Sequence, residues 1–370
     1  MKIAVTLSLY VGRVFSLAVL AMAGALTALV GLFDFIELLR RAASQPAASF
    51  GIVAEIAALR LPWAAMQIIP FAVLLGGILA FWRLTRSSEL IVARAAGVSA
   101  WQFLSVPVLA AILFGAFATA AISPISAVMR ARAEGMESRY LRGVGSALAL
   151  TGGQLWLRQA DQSAGPGGVA ILHATGVTLR HGQLGAAGMS VFRLDAHDQL
   201  ASRIEAARAT LEGGDWLLEG ARVIVPGHPP GAPTALRLPT SMTVARVQES
   251  FAPPETLSVW ALPGFIRLLE RSGFSAIRHR LQLQTLLALP LLAGTMSLLA
   301  AGFSMRPSRR GGVALMIGSG VAAGFALFVV SKVAEQFGQS GTLPPVLAAW
   351  APAASGLMLA VALLLHQEDG

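Results

Sequence analysis

The chain has 370 residues, of which 55% are apolar and only 13% are charged, and its mean hydropathy is +0.67. An ordinary soluble domain carries about 25% charged residues, so this composition excludes a disordered chain, a nucleic-acid-binding tail and a plain cytosolic enzyme. The lack of cysteine excludes a disulfide framework, a cysteine-ligated zinc site and a thiol nucleophile. The formal net charge of +9 comes almost entirely from arginine, since Lys2 and Lys332 are the only lysines.

Six long stretches lack Asp, Glu, Lys and Arg altogether, and each has 20 to 35 residues. They are Val14–Phe33, Leu61–Trp82, Ala95–Met129, Leu281–Met305, Gly311–Ser331 and Gln336–Gln367. A helix needs roughly 20 apolar residues to cross a bilayer, so these stretches predict six transmembrane helices. We place the membrane parts of the two longest at Trp101–Ile122 and Val346–Leu365. The first stretch is longer than the apolar region of a signal peptide, about 7–15 residues, so we expect it to be retained.

Six spans put both termini on the same side of the membrane. The short segments on that side carry eight cations, whereas those on the other side carry four. The eight are Lys2, Arg13, Arg83, Arg86, Arg94, Arg306, Arg309 and Arg310, and the four are Arg40, Arg41, Arg60 and Lys332. The positive-inside rule therefore predicts that both termini lie in the cytoplasm.

The region between the third and fourth spans has a different composition. Residues 140–262 contain nine Arg and nine acidic residues, so the positive excess belongs to the membrane part. Short alternating runs are separated by turn residues, a pattern typical of an antiparallel sandwich or an incomplete barrel. The runs are Gln154–Arg158, Val169–His173, Val177–Arg180, Ser190–Leu194, Ile204–Leu211, Trp216–Leu218 and Arg222–Val225. Ala206–Arg208 could be helical instead.

The predicted organisation is therefore an α-helical membrane protein with an inserted all-β domain. Residues 1–139 hold helices one to three, 140–262 the β domain, and 263–370 a linker helix and helices four to six. Pro124–Arg142 is interpreted as the third span continuing beyond the membrane. Leu257–Arg271 is interpreted as a return linker with a short helix that Gly273 could end.

Several kinds of catalytic chemistry are missing from the sequence. A Walker A loop needs a lysine after glycine, and neither lysine of this chain follows one. The six histidines show no metal-ligand spacing, and no GxSxG or SxxK nucleophile pattern occurs. A hydrolase site within the β domain stays open as an alternative.

The segment 83–99 joins the second and third spans on the cytoplasmic side. Ser87 or Ser88 can cap a helix there, Glu89 lies in its first turn, Arg94 near its last, and Gly97 can end it. Two interpretations are open: an interfacial connector, or a coupling helix that docks into a separate motor protein, with Glu89 facing an arginine of that partner.

Charged residues also gather at the outer ends of the first and third spans. Asp34, Glu37 and Arg41 share one helix face, and Arg40 lies beside them. They could merely reach the headgroups or line the lip of a water-filled cavity. Arg130 and Arg132 could form a basic rim for phosphate groups, or pair along a solvated helix, as in Arg130–Glu134.

The fifth span contains one small-residue motif, Gly320-Val-Ala-Ala-Gly324. Such a GxxxG motif allows two helices to approach closely. Ordinary helix packing is one interpretation, and a mobile gate is the other.

Specific stretches in both halves of the chain are similar to one known family. They are Pro70-Phe-Ala-Val-Leu-Leu-Gly-Gly77, Arg86-Ser-Ser-Glu-Leu-Ile-Val-Ala-Arg-Ala-Ala-Gly97, Ser258–Leu269, Arg306-Pro-Ser-Arg-Arg-Gly-Gly312 and Leu343-Pro-Pro-Val-Leu-Ala-Ala-Trp-Ala-Pro352. With them, the chain resembles the YjgP/YjgQ permeases, the LptF and LptG subunits of the lipopolysaccharide exporter. The stretch Phe33–Leu39 and the last two stretches are more similar to the LptG branch.

The resemblance implies a role and a set of partners. One LptF, one LptG and two copies of the ATPase LptB form an ABC exporter in the bacterial inner membrane. The permease binds no cofactor of its own, and the ATP is used by LptB. Lipopolysaccharide passes to periplasmic β-jellyroll domains, and LptC and LptA carry it towards the outer membrane. Lipopolysaccharide and membrane lipids are therefore the expected ligands, and nucleic acid is not.

The resemblance also implies roles for individual residues. Arg86, Glu89 and Arg94 lie in the segment similar to the coupling helix and would contact the ATPase. Arg40 and Arg41 align with a basic pair that faces lipopolysaccharide phosphates, whereas Arg130 and Arg132 match the family's basic cluster only approximately. Asp34 departs from the family, because related proteins can carry lysine near that place.

Three other functions compete with lipopolysaccharide export. An ion-coupled secondary transporter would be expected to place acids or broken helices at mid-membrane, and the six stretches carry no charge there. A membrane enzyme would be expected to show a triad or a metal cluster. A non-transporting scaffold fits the composition equally well, and only the resemblance disfavours it.

Overall fold

The structure, a computed structural model, describes most of the chain. The described residues are 2–43, 45, 48–87, 89, 99–141, 148–151, 154–161, 168–180, 183–195, 199–240, 243, 252–271, 274–304 and 313–368. The chain divides into two compact units. The helical unit comprises residues 1–141, 254–263 and 277–370, and the β unit comprises 142–253 and 264–276.

Six helices within the described ranges are long and apolar enough to cross a membrane, which confirms the predicted class of fold. The helices are α1 (Lys2–Ala42), α2 (Phe50–Arg86), α3 (Ala100–Phe117), α4 (Ser123–Tyr140), α5 (Leu262–Arg271), α6 (Ile277–Ser304), α7 (Val313–Gln339) and α8 (Pro345–Glu368). A π-helical segment, Ala118–Ile122, joins α3 to α4, so the three form one continuous third span. The short α5 is the helix expected before the fourth span.

An apolar core packs five helices of the helical unit together. Its buried side chains come from five helices and include Phe15, Leu74, Phe81, Phe103, Met296 and Leu364. Two glycines let neighbouring backbones touch: a methyl group at Gly76 of α2 would lie 2.6 Å from the Cα atom of Val19, and one at Gly115 would lie 2.6 Å from that of Pro290. These contacts place α1 against α2 and α3 against α6.

The GxxxG motif of α7 also serves packing. A methyl group at Gly324 would collide with the side chain of Leu74, and one at Gly320 would lie 3.1 Å from Ile78 Cδ1. Leu74 and Ile78 both belong to α2, so the motif lets the side chains of α2 approach α7. The structure thus shows the packing role for the motif.

The π-helical segment and the first residue of α4 form hydrogen bonds with other parts of the helical unit. The Thr119 hydroxyl donates to the Leu286 carbonyl oxygen at 2.7 Å, and the Trp260 indole donates to that of Ala120 at 3.1 Å. The backbone N–H of Val259 donates to the Ser123 hydroxyl oxygen at 3.1 Å. These contacts hold the return of the chain, residues 259 and 260, and the fourth span against this part of the third span.

The β unit is a curled antiparallel sheet. Ten strands are described: β1 (Leu148–Thr151), β2 (Gln154–Ala160), β3 (Val169–Thr175), β4 (Thr178–Arg180), β5 (Gln183–Ala186), β6 (Gly188–Leu194), β7 (Leu200–Ala206), β8 (Arg208–Glu212), β9 (Asp215–Ile224) and β10 (Thr234–Pro239). Their order is β1-β2-β3-β6-β7-β9-β8-β5-β4, with β10 also paired to β9. The alternating buried side chains, among them Leu172, Val191 and Trp216, form its core.

Two long hairpins explain the curl. β3–β4 pairs with β5–β6 in one, β7–β8 pairs with β9 in the other, and each bends part-way along its length. The bends fall at Gly176 and Ala187 in the first hairpin and at Ala207 and Gly220 in the second. Gly176 and Gly220 have φ angles of 60° and 64°, which favour glycine. Both hairpins therefore turn at the same level of the sheet.

The bends correct three strand predictions. The predicted run Ile204–Leu211 is two strands that break at Ala207, and the predicted runs 216–218 and 222–225 belong to the single strand β9. Ala206–Arg208 is not helical. Strands β1, β5 and β10 were not predicted. Strands β5 and β10 contain Gly or Pro, and apolar and polar residues alternate in them over only a few positions. Their extended conformation therefore depends on pairing with β8 and β9.

Candidate functional site

Six charged side chains converge at the end of the helical unit opposite the chain termini, which we call the distal end. This distal cluster consists of Asp34, Glu37, Arg40 and Arg41 on α1, Arg60 on α2 and Glu137 on α4. Three carboxylates balance three guanidinium groups, so the cluster is neutral overall. The sequence predicted four of these residues as candidate site residues and missed Arg60 and Glu137 in that role.

Arg60 is the centre of the cluster. Its Nη1 atom donates to Asp34 Oδ1 of α1 at 3.0 Å, and its Nη2 atom donates to Glu137 Oε2 of α4. The side chains of Arg60 and Glu137 are only 14% and 5% exposed. A buried charge of this kind is tolerated only when it is paired and hydrogen-bonded. Arg60 therefore fastens the distal ends of α1, α2 and α4 to one another.

This pairing gives Asp34 a defined partner. An acid at this position would repel a phosphate if its charge were not neutralised. Because the Asp34 carboxylate accepts a hydrogen bond from Arg60, its charge is compensated within the protein. The structure thus gives Asp34 a role in joining α1 to α2.

Glu37 holds the two arginines at the end of α1. Arg40 binds it through two hydrogen bonds, Nε to Oε2 and Nη2 to Oε1, both at 2.8 Å. Arg41 Nε donates to Oε1 at 2.9 Å, and its Nη1 atom lies 3.8 Å from Glu137 Oε1. The side chains of Arg40 and Arg41 are 75% and 53% exposed. Their guanidinium groups carry five N–H donors each, so an anion at this surface can meet further donors.

The two arginines predicted on the third span make separate pairs. Arg130 pairs with Glu134 one turn further along α4, at 3.3 Å, which is the pairing expected for a solvated helix. Arg132 pairs with Glu55 of α2 at 2.7 Å, and both side chains are exposed. Neither pair includes a member of the distal cluster, so the structure does not bring all six predicted residues into one site.

A signal for Glu137 was present in the sequence. The buried face of α4 includes Ser126, Ala133 and Glu137, and Glu137 follows Ala133 by four residues, one helical turn. An acid on the small-residue face of an otherwise charged helix is unusual and demands a partner. For Arg60, the sequence offered only its place just before a charge-free stretch.

The opposite end of the unit carries the residues predicted to face an ATPase. The guanidinium group of Arg86 lies 5.6 Å from the centre of the Trp82 ring. The Ser87 hydroxyl donates to Glu89 Oε1 at 2.8 Å. Arg94, Gly97 and most of the predicted coupling helix lie outside the described residues. In the part of the chain that is described, no group of three or more His, Asp or Glu side chains is arranged to hold a metal ion.

Comparisons with known proteins agree with this architecture. Residues 9–366 match the family of the lipopolysaccharide export system permease LptF/LptG. The lipopolysaccharide export system permease protein LptG of Escherichia coli strain K12 is 24% identical over 365 residues, which cover 97% of this chain and 98% of that protein. The LptG protein of Escherichia coli O6:H1 has the same identity and coverage. The match extends over the helices and the β unit alike, so the chain belongs to the LptF/LptG family of lipopolysaccharide export permeases.

Proposed function

We propose that this chain is the LptG-type permease subunit of an ABC exporter that extracts lipopolysaccharide from the bacterial inner membrane. Both termini would face the cytoplasm and the β unit the periplasm. Power would come from two copies of the ATPase LptB, and LptF would be the sister permease. LptC and LptA would receive the lipid from the β unit. The similarity to two LptG proteins and the excess of cations beside the termini support this assignment.

The observation that carries the proposal is the distal cluster beside an apolar bundle. Arg40 and Arg41 present exposed guanidinium groups at the distal end of α1, where the phosphates of the outer leaflet would lie. Guanidinium binds phosphate through paired, charge-assisted hydrogen bonds. Because the Glu37 carboxylate already accepts hydrogen bonds from both arginines, a phosphate would have to compete with it for their N–H donors. This competition would weaken phosphate binding, so that the lipid could leave the site again.

Extraction also sets a requirement for the apolar surface. Removing acyl chains from the bilayer exposes apolar area at roughly 0.8 kcal/mol per CH₂. For a lipid with several acyl chains, the total free-energy cost is too large for extraction in one step. We therefore expect the apolar cavity between the two permease subunits to replace lipid contacts progressively during extraction.

Reversing the charge of the exposed arginine pair tests the phosphate role. The double variant Arg40→Glu/Arg41→Glu is expected to release lipopolysaccharide from proteoliposomes at least about tenfold less per ATP hydrolysed, because each charge-assisted hydrogen bond contributes about 1.5–3 kcal/mol. The double variant Arg40→Lys/Arg41→Lys, which keeps the charge, is expected to retain most of the release. Normal release by the glutamate variant would refute the phosphate role.

A second variant tests the docking of the ATPase. Replacing Glu89 by arginine is expected to reduce recovery of the ATPase at least about fivefold when the chain is purified in mild detergent, because a carboxylate–guanidinium contact would become a repulsion. Glu55→Arg makes the same change at the distal end and should leave recovery unaltered. Equal recovery of the ATPase with both variants would exclude Glu89 from the docking surface.

A further inference from the structure

A cleft in the distal half of the helical unit has no place in the function proposed above. It lies between α2, α6, α7 and α8 and covers about 820 Å³ when the open solvent at its mouth is included. Its wall is mainly apolar, with Met66, Leu289, Leu292 and Phe328 among the lining side chains. The ring of Phe328 lies edge-on to that of Phe71, with the centres 4.8 Å apart.

The polar side chains of the cleft lie at one level. On α7, Glu335 and Lys332 come nearer the distal end than Phe328, and on α6, Gln282 and Thr285 come nearer it than Leu289 and Leu292. The Lys332 Nζ atom lies 5.8 Å from the centre of the Phe328 ring, so the charged and apolar parts of the cleft adjoin. The cleft therefore carries its charged, amide and hydroxyl groups towards the distal end and has an apolar floor beyond them.

The charged groups at the mouth of the cleft form an adjacent pair of opposite sign. Lys332 Nζ lies 2.7 Å from Glu335 Oε2 and 3.4 Å from Gln67 Oε1 of α2. The side chain of Lys332 is 43% exposed. One cation beside one anion is the charge pattern that complements a zwitterion, and it disfavours a ligand that carries only negative charge because Glu335 would repel it.

From this gradient we infer that the cleft binds one glycerophospholipid with a zwitterionic, phosphatidylethanolamine-type headgroup. The lipid phosphate meets Lys332 and its ammonium group meets Glu335. The Gln67 amide lies beside Lys332 at the level of the phosphate, and one acyl chain occupies the apolar part beside Phe328. This binding site is separate from the distal cluster, and its occupation does not require that the chain transport lipopolysaccharide.

Photochemical labelling with a lipid probe tests the inference. The full-length chain, purified with its partners and placed in vesicles, is exposed to phosphatidylethanolamine that carries a diazirine in one acyl chain. Mass spectrometry is expected to find adducts on cleft-lining residues such as Leu292 and Phe328. Phosphatidylglycerol with the same acyl chains is expected to label them at least about fivefold less.

Two variants separate binding from folding. Ala349→Phe fills the cleft from α8 and is expected to reduce labelling at least about fivefold, whereas Ala351→Phe, on the exposed side of the same helix, is expected to leave it unchanged. Lys332→Met is expected to remove the preference for phosphatidylethanolamine over phosphatidylglycerol, and Lys332→Arg to restore it. Unfolding temperatures measured in parallel show that each variant is folded.

Three results would overturn the inference. The first is equal labelling of Ala349→Phe and Ala351→Phe. The second is equal labelling by the zwitterionic and anionic probes in the unaltered chain. The third is displacement of the probe by lipopolysaccharide at lower concentration than by phosphatidylethanolamine, which would assign the cleft to lipopolysaccharide.

Discussion

Replacing Arg60 by methionine is expected to lower the free energy of unfolding by about 3–5 kcal/mol. The change removes the guanidinium group that binds Asp34 and the buried Glu137 carboxylate, while the longer ion pair of Glu137 with Arg41, at 3.8 Å, remains. Removing one partner of a buried ion pair costs far more than removing an exposed pair. Unfolding by sodium dodecyl sulfate, followed by tryptophan fluorescence, measures the difference.

Two further variants show whether burial is the cause. The double variant Arg60→Met/Glu137→Met removes both charges and is expected to recover most of the lost stability, because well-packed apolar groups can replace a buried pair. Arg132→Met breaks the exposed pair with Glu55 and is expected to cost no more than about 1 kcal/mol. If Arg60→Met were no more destabilising than Arg132→Met, Arg60 would not hold α1, α2 and α4 together.

Replacing Gly76 by alanine is expected to destabilise the helical unit by about 1–3 kcal/mol. The added methyl group would lie 2.6 Å from Val19 Cα, 2.8 Å from Val19 N and 2.9 Å from the carbonyl carbon of Ala18. All three are backbone atoms of α1, so no side-chain rotation relieves the clash and the two helices must separate. The same unfolding measurement gives the loss.

Gly24 on α1 provides the matched control. A methyl group at Gly24 has no neighbour within 4 Å, so Gly24→Ala is expected to be neutral or stabilising by up to about 1 kcal/mol through the higher helix propensity of alanine. Equal effects of the two substitutions would show that α1 and α2 do not touch at Gly76.

The distal cluster shows how stability and binding share the same residue types. Arg60 is largely buried and has two carboxylate partners, so it serves to join three helices. Arg40 and Arg41 are exposed and share Glu37, so they are the members of the cluster that a lipid phosphate could reach. A sequence motif of scattered arginines does not distinguish these roles, because the distinction depends on burial.

The six spans, the inserted β unit and four members of the distal cluster could be predicted from the sequence. Span length and charge depletion are properties of a continuous segment, because the bilayer acts on each helix separately. Alternation likewise identifies a strand such as β3 from its own residues. The charges of α1 could be located because they follow directly on a long apolar stretch.

The tertiary structure alone decided which residues of distant segments meet. Arg60 and Glu137 are 77 positions apart, the bends at Ala207 and Gly220 arise between paired strands, and the apolar cleft combines side chains of four helices. Whether a charged side chain is buried or exposed depends on which neighbouring helices cover it. The free-energy cost of leaving that charge unpaired depends on the same surroundings. For that reason the sequence determined the kind and order of the segments, whereas packing determined which charged side chains pair and which are exposed for binding.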